Sequence, residues 1–201
     1  MSKRRSTAQS IRVRIIPALL RRLRTVGIRL EMFFIVREGE YFGAPALTDR
    51  QFRYGFIGES EVDELMEFRG SPKREEVRLW LDQGKRCFAA WEGPRLAATM
   101  WCDFQEFNYP PNYRRLNDDE VYMFAAFAHA DYRGQNLAPN MRLQCYQALE
   151  KMGRHSCLSY TDYFNVAARR FKEKLGARNK MLRLHICLFG RWSRTLTLRT
   201  Y

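Results

Sequence analysis

Ala128-His129-Ala130-Asp131-Tyr132-Arg133-Gly134-Gln135-Asn136-Leu137-Ala138 decides the fold, because it joins a strongly apolar run, Glu120 to Ala128, to a segment with helical spacing from about Asn136 to Met152. A glycine-bearing turn that feeds a helix N-terminus aims several unpaired backbone N–H groups at one point. The positive end of the helix dipole adds to them, which suits a diphosphate. Arg133 brings a full charge to the same spot.

Upstream of this junction the body of the chain predicts a strand (Arg53 to Ile57), two helices (Ser60 to Phe68 and Lys73 to Gln83) and two strands (Arg86 to Trp91 and Arg95 to Phe104). Ser60 and Ser71 are the expected helix caps. A polar loop containing prolines, Asn108 to Asp119, leads into the strand at Glu120. Downstream come a strand (His155 to Thr161), a helix (Asn165 to Leu175) and two late strands near Met181 to Leu188 and Ser193 to Thr200. Helices falling between strands give a mixed α/β domain with a single sheet. Residues 1–50 read as a basic N-terminal extension, an amphipathic helix from Pro17 followed by a strand at Leu30 to Val36, and residues 51–201 as the domain.

The 201 residues fit one well-filled core, and 14% aromatic content argues against disorder. A net charge of +13 invites nucleic acid, an anionic membrane face or a phosphorylated ligand. Its distribution is uneven. Residues 1–30 hold nine cations and residues 178–201 six, with no acid in either, so the body between them is close to neutral. The five cysteines are widely spaced without a CxxC pair, so neither a disulfide framework nor a metal site is expected. No apolar run reaches the roughly 20 residues that span a bilayer, and the expected location is the cytoplasm.

The Arg133-to-Ala138 segment resembles the acyl-CoA loop of the GNAT family, the GCN5-related N-acetyltransferases, which reads Gln/Arg-x-x-Gly-x-Gly/Ala after the fourth core strand. A second block, Asn165-Val166-Ala167-Ala168-Arg169-Arg170-Phe171-Lys172-Glu173-Lys174-Leu175-Gly176-Ala177, is similar to the family's Asn-x-x-Ala/Ser motif ending in Lys-Leu-Gly-Phe. The resemblance covers roughly residues 52–190. It implies a mostly antiparallel twisted sheet with helices on both faces, splayed between its fourth and fifth core strands, Glu120 to Ala128 and His155 to Thr161. It implies acetyl-CoA, or another acyl-CoA, as co-substrate and no metal. The backbone of Phe127, Ala128 and His129, at a splayed or bulged strand, would pair with the pantetheine arm. Arg133, Gly134, Gln135, Asn136, Leu137 and Ala138 would cradle the pyrophosphate, with Asn165 and Phe171 as further cofactor contacts. Two departures stand out. Asn136 replaces a glycine, although Asn tolerates φ > 0, and Lys172 replaces the Tyr that protonates the departing thiolate in many members.

The activity so implied is transfer of an acyl group, first of all acetyl, to a primary amine by direct attack. Such an amine must lose a proton, since its ordinary pKa is about 10.4, and the oxyanion needs preorganised donors. Glu120 is the candidate base if apolar neighbours raise its carboxyl group; the competing reading is a solvated acid beside Asp118 and Asp119. The N–H of Ala128 is the implied oxyanion donor, and Tyr163 a replacement acid, with core packing as its alternative. Two other functions stay open. One is long-chain transfer from acyl-CoA or acyl-carrier protein, with residues 11–27 resting on a membrane. The other is a non-catalytic GNAT-like binding module. Without an aromatic-interleaved base-reading motif, nucleic acid is not an expected partner; a homodimer is one expected assembly. The acceptor is left open.

Overall fold

The computed structural model describes residues 18–39, 50–68, 72–109 and 112–201. In chain order these form α1 (residues 18–25), β1 (Ile28–Glu38), β2 (Arg53–Phe56), α2 (Val62–Glu67), α3 (Arg74–Asp82), β3 (Arg86–Glu92), β4 (Arg95–Asp103), β5 (Glu106–Tyr109), β6 (Asn112–Arg115), β7 (Glu120–Ala128), α4 (Leu137–Lys151), β8 (Ser156–Asp162), α5 (Val166–Lys174), β9 (Arg178–Leu188) and β10 (Trp192–Thr200). Single 3-10 turns lie at Glu59–Glu61 and Ala130–Tyr132. The result is a mixed α/β fold with a large, mostly antiparallel sheet, as the sequence implies.

The chain divides into two compact units, and β1, β8 and α5 each contribute to both. The first unit holds residues 1–36, 160–170 and 179–201. Its strands run in the order β10-β9-β1, followed by the end of β8. β1, which the sequence reading places in the N-terminal extension, stands between β9 and β8 in the strand order. The second unit holds residues 37–159 and 171–178, with the order β8-β7-β4-β3-β2. The pairs β2·β3, β3·β4 and β4·β7 are antiparallel, while β7 and β8 are parallel.

Side-chain alternation sends the strands of the second unit into two cores. Phe88, Ala90, Met100, Cys102, Val121 and Met123 pack with Met141, Cys145 and Leu149 of α4. Cys87, Ala89, Trp91 and Trp101 pack with Leu65 of α2 and Val77 of α3 on the other face. Each large side chain buried in this way stabilises the fold by about 1.5–3 kcal/mol. The cysteines are free thiols, as expected.

Two local expectations are corrected. Ser60 does not cap α2, because it lies inside the 3-10 turn; there Glu61 reaches back to the Gly58 N–H at 2.9 Å. At α3 the equivalent bond runs from the Lys73 N–H to Glu76 at 2.8 Å, and Ser71 lies outside the described residues. Residues 108–119 are not a plain loop, for β5 and β6 form an antiparallel hairpin that pairs Glu106 with Arg115 and Tyr109 with Asn112. Phe107 anchors it, buried against Tyr122 with ring centroids 4.6 Å apart.

An acid that no local pattern singles out is buried in the second unit. Glu38, at the end of β1, has no solvent exposure at its carboxylate. It accepts hydrogen bonds from Arg142 Nε at 2.9 Å and Nη2 at 2.8 Å, and from the Tyr146 and Ser159 hydroxyls. Lys172 Nζ lies 3.3 Å away and donates to Ser159 Oγ at 2.6 Å. Burial opposes ionisation of Glu38, but Arg142, Lys172 and the donated hydrogen bonds overcome it and hold the carboxyl far below its usual range. Burial pushes the Lys172 ammonium down to about 8 despite the carboxylate.

Glu38→Gln leaves two buried cations without an anion, and is expected to cost about 3–5 kcal/mol in denaturant unfolding. Lys172→Met leaves one guanidinium facing one carboxylate and should cost clearly less. Because the folded-state pKa of Lys172 is depressed, the unfolded chain binds the extra proton between about 8 and 10.5. Wild type should therefore gain stability relative to Lys172→Met as pH rises through that window; a flat difference across it would contradict this picture.

Candidate functional site

The site is built on β7. Opposite β4 the register pairs Ala98 with Ala128, Thr99 with Phe127 and Trp101 with Phe124, so Ala125 and Ala126 together oppose Met100. This is a β-bulge, and Ala125 carries its strain at φ 46. Beyond the bulge the His129 N–H donates to Ala97 O at 2.9 Å. That bond identifies Ala98 and Ala128 as a pair exchanging no hydrogen bonds with each other, which turns the N–H and C=O of Ala128 away from β4. On the other side of β7, the pairing with β8 covers only Glu120↔Ser156, Val121↔Cys157 and Tyr122↔Leu158. Among the described residues the remainder of β7 has no strand partner on that side, as the splay implied by the resemblance requires.

The turn after β7 is fixed from beneath. Tyr132 is buried, its ring edge-on to Phe52 and its hydroxyl donating to Glu92 at 3.1 Å. Burial, reinforced by Glu92, pushes this phenol up. Asp131 is held by Arg95 at 2.9 Å, and its N–H donates to His129 Nδ1 at 3.4 Å. Gln135 Nε2 donates to Asp131 O at 2.8 Å. Gly134 adopts φ +76 with open space where a Cβ would stand, and Asn136 adopts φ 56, ψ 16 at the N-cap of α4. Asn136 thus takes the left-handed conformation that its chemistry permits.

The first turn of α4 carries no acid. Its Leu137 and Ala138 N–H groups have no acceptor within the helix, and Pro139 has no N–H to satisfy. Arg133 is exposed beside this turn, with Nε 3.4 Å from Ala128 O and its guanidinium 5.8 Å from the centre of the Phe127 ring. Open backbone donors, a helix N-terminus and one mobile-length cation match what a diphosphate requires, so these residues fit an acyl-CoA.

Glu120 is 8% exposed at the start of β7. Arg114 grips both carboxylate oxygens, at 2.7 and 2.8 Å, and the Asn117 N–H donates to Oε2 at 2.9 Å. The hydrogen bond to Glu120 in turn raises Arg114 above its usual value. This carboxylate ties the β5–β6 hairpin to the start of β7. Arg114 was missed in the sequence because it fell in the presumed loop; the apolar Phe107 and Tyr113 flanking two prolines were the available signal.

Phe171, in the second unit, packs against the core with Leu137 and Leu175. Lys172, at the place of the family's Tyr, belongs to the Glu38 network. Tyr163 and Asn165 are in the first unit. Tyr163 stacks on Phe34 with centroids 5.6 Å apart, and the Arg169 guanidinium lies 5.3 Å from its centre. Asn165 Oδ1 accepts from the Ala168 N–H at 3.0 Å, which makes Asn165 the cap of α5.

Residues 54–177 match the family model described as the Acetyltransferase (GNAT) family. An acetyltransferase of the GNAT family from Colwellia psychrerythraea superposes with a TM-score of 0.57 at 14% identity, over 81% of this chain and 57% of that one. A GNAT-family protein from Novosphingobium aromaticivorans DSM 12444 gives 0.54 at 17% identity, over 81% and 66%. A conserved protein of unknown function from Staphylococcus epidermidis ATCC 12228 gives 0.56 at 9% identity, over 85% and 66%. This chain therefore spans less than two thirds of the length of each of these three, and at such identities the likeness is one of fold. Comparison with curated proteins finds no match. With the family model covering more than half of its residues, and with the bulged β7, the splay and the turn into α4 in place, the chain belongs to the GNAT family of acetyltransferases.

Proposed function

We propose that the protein transfers an acetyl group from acetyl-CoA to a primary amine. The observation that carries this reading is the bulge in β7, which turns the N–H and C=O of Ala128 out of the β4 ladder immediately before the Arg133-to-Ala138 turn. The acyl-CoA supplies an acyl group already activated as a thioester. Arg133 and the N–H groups of Leu137 and Ala138 bind its diphosphate, and the positive φ angles of Gly134 and Asn136 that shape the turn are already set in the fold. Ala128 N–H is the donor for the acyl oxygen. A backbone donor held by a strand needs no reorganisation as charge grows on that oxygen; removing such a donor in other enzymes costs about 2.7–4 kcal/mol.

The acceptor amine must surrender a proton before it attacks. Glu120 is the sequence-derived base, but with Arg114 on both oxygens and the Asn117 N–H on Oε2 its carboxylate is engaged in holding the hairpin. We therefore assign it a supporting role.

Two outcomes are expected. In isothermal titration the full chain binds acetyl-CoA, and Arg133→Ala weakens binding about tenfold, the loss of one charge-assisted contact. No detectable binding at high ligand concentration would overturn the proposal, and binding without turnover on any amine would favour the non-catalytic module. Glu120→Gln should lower the melting temperature while turnover stays within about fivefold; a loss beyond a hundredfold, with acetyl-CoA binding intact, would restore Glu120 as the base.

A further inference from the structure

The first unit carries a surface that the proposed chemistry does not use. Its described residues hold eleven cations and two acids. Both acids are engaged, Glu31 by Arg24 at 2.7 Å and Arg29 at 3.1 Å, and Asp162 by the Phe164 N–H, which donates to its Oδ1 at 2.7 Å. In the same unit Phe189, Trp192, Leu196 and Leu198 stand exposed along the ribbon that β9 and β10 form.

Alternation sorts this ribbon into two unlike faces. Trp192, Arg194 and Leu196 lie on one face, opposite Leu188, Ile186 and Leu184 of β9. The other face holds Thr195 opposite His185, with Oγ1 and Nδ1 3.1 Å apart, and this histidine is buried. The ribbon thus covers a histidine and presents tryptophan and leucine to solvent, the reverse of the usual arrangement in a half-buried sheet.

The turn that closes the ribbon is equally unusual. Phe189 and Gly190 have φ of 53 and 67, and the Arg191 N–H donates to Leu188 O at 3.1 Å. Such a turn needs φ > 0 at both central residues, which favours Asn, Asp or Gly and strains a bulky aromatic. Phe189 nevertheless stands there, 69% exposed. Its N–H donates to Gly27 O at 2.6 Å, and its ring lies so close over Gly27 that a Cβ there would be 2.6 Å from Cδ1. The ring is thereby held at the tip, beside the exposed Val26.

The cations surround these apolar groups. Arg191, Arg194 and Arg199 have no carboxylate within ion-pair distance among the described residues. Aromatic side chains settle at the headgroup level of a bilayer, and Arg keeps its charge among anionic headgroups while its stem follows the acyl boundary. Nucleic acid would match the charge but leave Leu196 and Leu198 without an apolar partner, and a second copy would bring the same excess of cations. We propose that the β9–β10 ribbon and its turn are the contact surface for an anionic bilayer, with Phe189, Trp192 and Leu196 entering the interface and Arg191, Arg194 and Arg199 pairing with lipid headgroups.

The test is co-sedimentation of the full chain with vesicles of phosphatidylcholine alone and of phosphatidylcholine with about one third phosphatidylserine. The mixed vesicles are expected to hold the protein at least tenfold more strongly. Trp192→Ser combined with Leu196→Ser should weaken that binding at least tenfold. Arg191→Gln, Arg194→Gln and Arg199→Gln together should weaken it about a hundredfold, since each cation near an anionic surface is worth about fivefold. All five side chains are exposed, so these changes leave the core intact. Wild type offers a readout that needs no substitution: bromine on the acyl chains should quench Trp192, the one exposed tryptophan of the four. Equal binding to both vesicles, absent quenching, or unchanged binding in the Trp192 and Leu196 double variant would overturn the proposal. So would a solution dimer that the double variant dissolves, which would give the face to a second copy. Tighter binding to duplex DNA than to the mixed vesicles would give it to nucleic acid, with the same result.

Discussion

A carboxylate with no access to water, Glu38, is the constraint on which the second unit depends. A bare buried charge of this kind would cost several kcal/mol. It is tolerated because donors converge on it from α4, from β8 and from α5, and each of those elements is thereby fixed relative to the end of β1. Arg142 and Tyr146 are one turn apart on α4 and converge on Glu38, Arg142 on both oxygens and Tyr146 on Oε2. A helix held in this way cannot rotate about its axis without breaking charged bonds. The N-terminal turn of that helix is the proposed diphosphate site, so a cluster in the core sets the aim of backbone groups at the surface. Burial depresses the ammonium of Lys172, and the neighbouring Arg142 adds to that shift.

The second constraint is the extra residue in β7. Without it, alternation along the strand would keep Ala128 bonded to β4, and its N–H would be consumed by the ladder. The bulge occurs where Trp101 and Phe124 pack edge to face against Trp80, with Ala125 packed against the same cluster. Sequence, packing and an available donor are therefore linked at one place: three alanines among aromatics make the irregularity affordable.

Much of this was legible in advance, for reasons that differ by element. β7 was read to its residue limits because an unbroken apolar run between polar segments has no other use. The left-handed Asn136 followed from the side chain's tolerance for that conformation. The β5–β6 hairpin was hidden, since two prolines and a polar composition argue for a loop and only Phe107 marks a buried face. Arg114, the partner of Glu120, falls in the same segment, so no local pattern pairs the two. Glu38 could not be seen at all: burial of an acid depends on groups far along the chain, at Arg142, Ser159 and Lys172, and no local pattern announces them.

The hairpin of β9 and β10 gives the uneven charge of the chain a different meaning. Among the described residues β10 ends the strand order, and nearly all of its side chains are exposed, Trp192, Leu196 and Leu198 among them. An open edge with apolar side chains is a template for a neighbouring strand. Arg191, Arg194 and Arg199 lie along it with no acid nearby in sequence. Two such edges approaching each other would bring like charges face to face, so part of the basic excess acts as a gatekeeper against sheet-to-sheet aggregation.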